Sequence, residues 1–250
     1  MVDLPLALLA AFCIGLSKTG FSGISLVAVF LLAELFGAKE SVGIALPMLI
    51  LADFLVYPSF HKHGSWKEVW PLLPPALAGV ALGALLLNAI DNQIAGKLIG
   101  SIIAIMLASQ LFKKRRPDTF ARLAGSKSFA LSCALFGGIA TALANAAGPI
   151  ISLYLLSRNF LKLDLLGIGV RFFLLINLIK VPLLAIIPSP RSGAAGLING
   201  ETLWINLQLA PAILVGVVLG RWLIGKVPQA VFEWMILAFA SLGAFKLLFF

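Results

Sequence analysis

The chain has 250 residues, 61% of them hydrophobic and only 12% charged, with a mean hydropathy of +1.06. No soluble globular class has this composition, so the sequence reads as an all-α polytopic membrane protein. The formal charge of +9 does not argue for nucleic acid, because six basic residues crowd into one stretch, Lys113 to Lys127, as the positive-inside bias expects of a cytoplasmic loop.

In chain order, the first feature is an apolar stretch from Leu4 to Phe36 that is interrupted near Lys18-Thr19-Gly20. Each half is too short to cross a ~30 Å hydrocarbon core at about 1.5 Å per residue. No removable signal is apparent, since Asp3 stands where a basic region would precede the apolar run. Full spans are expected over Ser41–Tyr57, Trp70–Asn88 and Ile94–Phe112, followed by the basic loop. A second long stretch, Ser128–Ser157, is broken at Asn145-Ala146-Ala147-Gly148-Pro149, where an Asn and small residues precede a Pro suited to a first helical turn. Spans over Leu165–Ile187, Trp204–Ile224 and Pro228–Phe249 complete the chain.

The order of features recurs, which predicts two repeats, 1–112 and 128–250, joined by the basic linker 113–127. A shift of 124 places Gly43 on Gly167, Asp53 on Asn177 and Pro58 on Pro182, and a shift of 137 places Pro74, Gly79, Gly83 and Phe112 on Pro211, Gly216, Gly220 and Phe249. At the breaks, Lys18 is set against Leu143. Each repeat is then one broken segment plus three spans. If the broken segments are re-entrant the repeats are inverted, and if they cross the membrane the repeats are parallel. Lys and Arg divide twelve to four between the two faces in the first case and ten to six in the second, which favours inversion.

Breaking a helix inside a membrane frees amide N–H groups at the start of its second half, where the macrodipole also favours an anion. The second half-helices are expected to begin near Ser22-Gly23 and near Gly148-Pro149. A small anionic substrate is therefore expected between them. Lys18 is the leading ligand, because a charge at that depth costs about 2.5–3.5 kcal/mol on insertion scales and calls for a compensating role. Ser17, Thr19, Ser22 and Asn145 are candidate neutral donors, equally suited to capping a half-helix. Arg171 either faces the same cavity, binds the anion through its planar fork, or pairs with Asp53. Asp53, the carboxylate inside a span, and Asn177 are candidate coupling or structural polar groups. Lys180, beside Pro182, is expected to snorkel to the interface.

His61 and His63 are too few for a metal site, and Cys13 and Cys133 stand alone in apolar segments as packing thiols, so neither a cofactor nor a metal is implied. Trp66, Trp70, Trp204 and Trp222 sit near span ends as interface anchors. No in-span Ser-His or paired-Asp arrangement suggests catalysis, which leaves an intramembrane enzyme as the weaker alternative beside an anion channel.

These residues resemble the sulfite exporter TauE/SafE family over essentially the whole chain. The motif GLSKTGFSGISL supplies Gly15, Gly20 and Gly23, and FGGIATALANAAGPIISLYLL supplies Gly137, Gly138, Gly148, Pro149 and Tyr154. Family members often carry adjacent glycines at the breaks. Here Phe21-Ser22 separates Gly20 from Gly23, and Ala147 precedes Gly148. The resemblance implies a permease for small sulfur anions such as sulfite or organosulfonates, usually an exporter, in a bacterial inner membrane. The sequence leaves coupling ion and oligomeric state open.

Overall fold

A computed structural model of the chain describes residues 3–116, 118, 127–157, 160–191, 193–223, 226 and 245. The described part is built on helices: α1 (Leu4–Ser17), α2 (Ser25–Phe36), α3 (Ala38–Phe60), the short α4 (Trp66–Val69), α5 (Leu73–Ala89), α6 (Asn92–Arg115), α7 (Lys127–Ala144), α8 (Gly148–Ser157), α9 (Lys162–Ile186) and α10 (Gly200–Leu223). Five helical stretches among the described residues are long and apolar enough to cross a membrane, counting Trp66–Ala89 as one. The span expected over Pro228–Phe249 and most of the basic loop lie outside the described residues. One departure from all-α is a small antiparallel hairpin, Pro188–Ser189 paired with Gly193–Gly196, in the loop after α9.

Two kinds of packing position the site. The first is reciprocal contact through glycine. A Cβ on Gly15 of α1 would stand 2.2 Å from the Ile213 carbonyl of α10, and one on Gly216 of α10 would stand 2.3 Å from the Phe12 carbonyl of α1. Between α5 and α7, a Cβ on Gly79 would stand 2.0 Å from the Leu135 carbonyl, and one on Gly138 would stand 2.1 Å from the Ala76 carbonyl. In lipid no hydrophobic force drives helices together, so such close backbone approach supplies the dispersion contact that holds them. α1 thus docks on a helix from the other end of the chain, and α7 docks on a helix that precedes it by about fifty residues.

The second is the long contact between α3 and α9, which run side by side in opposite directions. Gly43, near the start of α3, abuts the Leu197 carbonyl beyond the end of α9, and Gly167, near the start of α9, abuts the His63 carbonyl beyond the end of α3. Midway, Asn177 donates to Asp53 at 2.9 Å. At one end of this pair the hairpin is fastened by Glu40, whose carboxylate accepts from Ser189 Oγ and from the Arg191 amide at 2.8 Å.

The outer faces carry Leu82, Leu85, Ile105, Phe136, Leu207, Val215 and Val218 exposed, the surface a bilayer would cover. Trp66, Trp70, Trp204 and Trp222 are exposed near helix ends, in keeping with interfacial anchoring. Cys13 and Cys133 are buried and unbridged.

Candidate functional site

Both breaks predicted from the sequence are present, and each closes its helix by a different local device. After α7, Asn145 takes the left-handed conformation at φ 53°, its amide bonds to the Thr141 carbonyl at 3.1 Å, and the Ala146 amide bonds to the Ala140 carbonyl at 3.3 Å. The bond from the Asn145 amide makes this an αL closure, with Asn in the place usually taken by Gly. The chain resumes as α8 at Gly148, where Pro149 fits because its missing N–H would have no intrahelical partner. After α1, the hydroxyls of Ser17 and Thr19 donate to the Ile14 and Leu16 carbonyls at 2.7 and 2.8 Å, and Gly20 turns the chain at φ 111°. A short 3₁₀ turn, Ser22–Ile24, then leads into α2.

The breaks face one cavity of about 410 Å³. Its lining includes Ser17, Lys18, Gly20 and Ser25 from the first break, Thr141, Asn145, Gly148 and Ser152 from the second, and Asp53 and Asn177 from the α3–α9 pair. Lys18 Nζ lies 2.8 Å from Asp53 Oδ1 and 4.8 Å above the Phe173 ring. Asp53 is fully buried, its other oxygen held by Asn177, whose own carbonyl oxygen is buried without a hydrogen-bond partner. The cavity therefore offers a cation, a carboxylate and a free acceptor side by side.

Lys180 corrects the sequence reading. It does not snorkel: it is 1% exposed, and its ammonium donates to the Thr141 carbonyl and hydroxyl, both at 2.9 Å, and to Asn145 Oδ1 at 2.6 Å. All three acceptors are neutral. Asn145 Nδ2 in turn donates to the Val42 carbonyl of α3 at 2.9 Å, so this side chain ties the second break to both α3 and α9. The reason is position: six residues of α9 follow Lys180, which leaves it too deep to reach an interface, and it faces the carbonyls that the helix break has freed.

Arg171 is the other correction. It neither lines the cavity nor meets Asp53. Its guanidinium donates to the carbonyls of His61 and His63, and to Gly167 at 2.9 Å, and it lies 5.7 Å from the Trp66 ring centroid. Because Gly167 lets the α3–α4 loop press onto α9, the loop descends to the level of Arg171, which becomes its clamp. Asp164 supports the same loop from below, accepting from the Gly64 amide at 2.9 Å.

Thr19 is fully buried and packs against Gly220 of α10, so its hydroxyl closes α1 and does not face the cavity. Gly23 does not line the cavity, and the side chains of Ser22 and Pro149 fall outside the described part. Of the predicted residues, Lys18, Asp53, Asn145, Gly148 and Asn177 are brought together. Ser17, also expected as a neutral donor, lines the cavity as well, whereas Thr141, Ser25 and Ser152 were not singled out; a hydroxyl within a turn of each break was the signal available.

Among the described residues no group of three His, Cys, Asp or Glu side chains fits a metal ion. What the arrangement offers chemically is a set of donors suited to an anion: the Lys18 ammonium, hydroxyls and the amide end of α8 border one cavity.

The model of the sulfite exporter TauE/SafE family matches residues 7–247. No curated protein and no solved structure matches the chain.

Proposed function

Since the chain belongs to the sulfite exporter TauE/SafE family and is a membrane transporter, we propose that it carries a small sulfur-bearing anion by alternating access and that the anion binds in the cavity between the two helix breaks. The observation that carries this reading is the convergence of Lys18, Asn145 and the start of α8 on one space, each brought there by a broken helix. Export is the direction the family description favours, and a bacterial inner membrane is the setting that fits it.

In this reading the empty site is occupied by its own carboxylate: Asp53 neutralises Lys18, and an entering anion competes with it for the ammonium. Displacing Asp53 leaves a buried carboxylate beside the partnerless oxygen of Asn177, a pair that a proton would satisfy, and this offers a route for coupling anion to proton movement. Lys180 keeps the second break in shape.

Inverted repeats supply the motion. Three features support the inversion. The repeat-equivalent α3 and α9 are antiparallel and meet at the equivalent residues Asp53 and Asn177. Lys39 and Arg191 lie at one end of that pair, with Lys39 Nζ on the Ile90 carbonyl, while Lys62 and Arg171 lie at the other. The packing pairs also exchange: α1 leans on α10 as α7 leans on α5. They set Gly15 against Gly138 and Thr19 against Ala142 as equivalents, so Lys18 corresponds to Thr141 and not to Leu143. Each half thus uses its break and its long helix to hold one lysine at the centre, Lys18 on Asp53 in one half and Lys180 on Thr141 in the other.

The test is sulfite counterflow in proteoliposomes with native protein, Lys18→Gln and, as an exposed control, Lys67→Gln. Loss of most flux in Lys18→Gln alone is the expected result. Equal flux in all three would overturn the site, and turnover far above about a thousand ions per second would replace the carrier with a channel.

A further inference from the structure

The cavity is larger than a sulfur oxyanion requires. Sulfite has four non-hydrogen atoms and displaces on the order of 100 Å³, taking about 30 Å³ per water-sized unit, against a cavity of about 410 Å³. Space of this size matches ligands with a carbon skeleton.

Its lining is also segregated. On α9 the lining positions 165, 166, 169, 170, 173 and 177 form one helical stripe, with the polar Asn177 at one end and Phe173, Val170, Leu166 and Leu165 following. On α8 the lining residues are Gly148, Ile151, Ser152 and Leu155, polar and apolar side by side until Leu155 ends the row. The lining of α9 therefore changes from polar to apolar along the cavity, and α8 meets the apolar end with Leu155. Lys18, Asp53, Thr141 and Asn145 gather at the polar end, and Ile151, Leu155 and Phe160 close on α9 at the other. From Phe173 to Leu165 the apolar leg follows α9 for roughly 12 Å. The Phe173 ring under Lys18 marks the junction, its face to the ammonium and its body in the leg.

Resting on the anion site proposed above, we infer that the substrate is an amphipathic organic anion, with an oxyanion head at Lys18 and Asn145 and an apolar body of several carbons lying between α8 and α9. A bare inorganic anion fills only the head of this cavity, whereas an alkyl chain replaces water along Leu155, Leu166, Val170 and Phe173.

Gly169 makes the inference testable. It lines the leg, and a Cβ there meets nothing within 4 Å, so a larger side chain enters the leg without displacing backbone. The experiment is calorimetric titration of the full chain in nanodiscs with sulfite and with straight-chain sulfonates from methanesulfonate to pentanesulfonate, after subtracting empty nanodiscs. Affinity is expected to rise about fourfold per methylene, roughly two-hundredfold across the series. In Gly169→Leu the pentanesulfonate-to-methanesulfonate ratio is expected to collapse toward one, and Lys18→Gln is expected to weaken every member alike. A flat series in the native protein, or an unchanged ratio in Gly169→Leu, overturns the amphipathic substrate and leaves the anion site standing if Lys18→Gln still weakens sulfite. Failure of every anion to bind native protein overturns the anion site itself.

Discussion

The pairing of Lys18 with Asp53 separates two roles that a single substitution would confuse, stabilising the fold and binding the anion. Asp53 is fully buried, with one oxygen on Lys18 at 2.8 Å and the other on Asn177 at 2.9 Å. Lys18→Met removes the neutralising charge and leaves a carboxylate stranded among apolar helices. Breaking one partner of a buried pair costs about 3–5 kcal/mol, chiefly from the charge left behind. Asp53→Asn in the same chain removes that charge and keeps an amide able to bond Asn177. The double variant should therefore regain most of the loss, to within about 1 kcal/mol of native, one ordinary hydrogen bond.

Anion binding should behave in the opposite way, because the double variant still lacks the ammonium. Unfolding by SDS in mixed micelles measures the first quantity and sulfite titration the second. The expected pattern is a large stability loss in Lys18→Met, recovery in the double variant, and weak sulfite binding in both. A double variant as unstable as the single one would refute the pairing as the source of the cost. Native affinity in the double variant would refute Lys18 as a ligand.

Other consequences follow from particular contacts. Asn145→Ala loses the bonds to Val42 and Lys180 and places a Cβ-bearing residue at φ 53°, whereas Asn145→Gly loses the bonds alone, so Ala should be the less stable by about 1–2 kcal/mol in the same SDS assay. Lys180→Met leaves the Thr141 hydroxyl and the Asn145 oxygen without their donor and should destabilise by about 1–3 kcal/mol per orphaned group, where Lys62→Met at the exposed loop should be near neutral. Gly79→Val drives a side chain into the Leu135 carbonyl and should cost about 1–3 kcal/mol or more, with no gain from improved helix propensity. Cysteines at Lys62 and Arg191, each alone, should react with an impermeant maleimide from opposite faces of the membrane; labelling from one face would exclude the inverted arrangement.

The breaks could be read from the sequence because their causes are local. A Gly at φ 111°, an Asn at φ 53° and a Pro at the second position of a helix each carry a conformational preference that needs no knowledge of neighbours. The Asp53–Asn177 contact was half legible: the shift of 124 made the two residues equivalent, but only antiparallel packing puts equivalent residues in touch. What could not be read was the rotation and depth of each helix. Lys180 and Arg171 are both basic residues inside α9. One is buried at a break and the other clamps a loop, and the difference is set by which side of α9 meets α7 and which meets the loop after α3. The hairpin after α9 escaped notice because its residues carry no alternating pattern, and it is held by Glu40, from a helix about 150 residues earlier.

The same geometry explains why two broken helices are tolerated where lipid would punish them. A half-helix ending in the middle of a membrane exposes carbonyls that need donors. At the second break Lys180 and the backbone amides of Asn145 and Ala146 supply them, and at the first the hydroxyls of Ser17 and Thr19 do so. Each broken helix is then backed by glycine contact with a helix from the other half, α1 on α10 and α7 on α5. Neither half can build its end of the cavity alone, since the floor of each break belongs to its partner. A substitution that loosens α5 from α7 should therefore disturb the cavity as surely as one at Asn145, although α5 contributes no residue to its lining. The interface between the halves and the walls of the cavity are one surface, so a shift of one half against the other would reshape the space proposed for the anion.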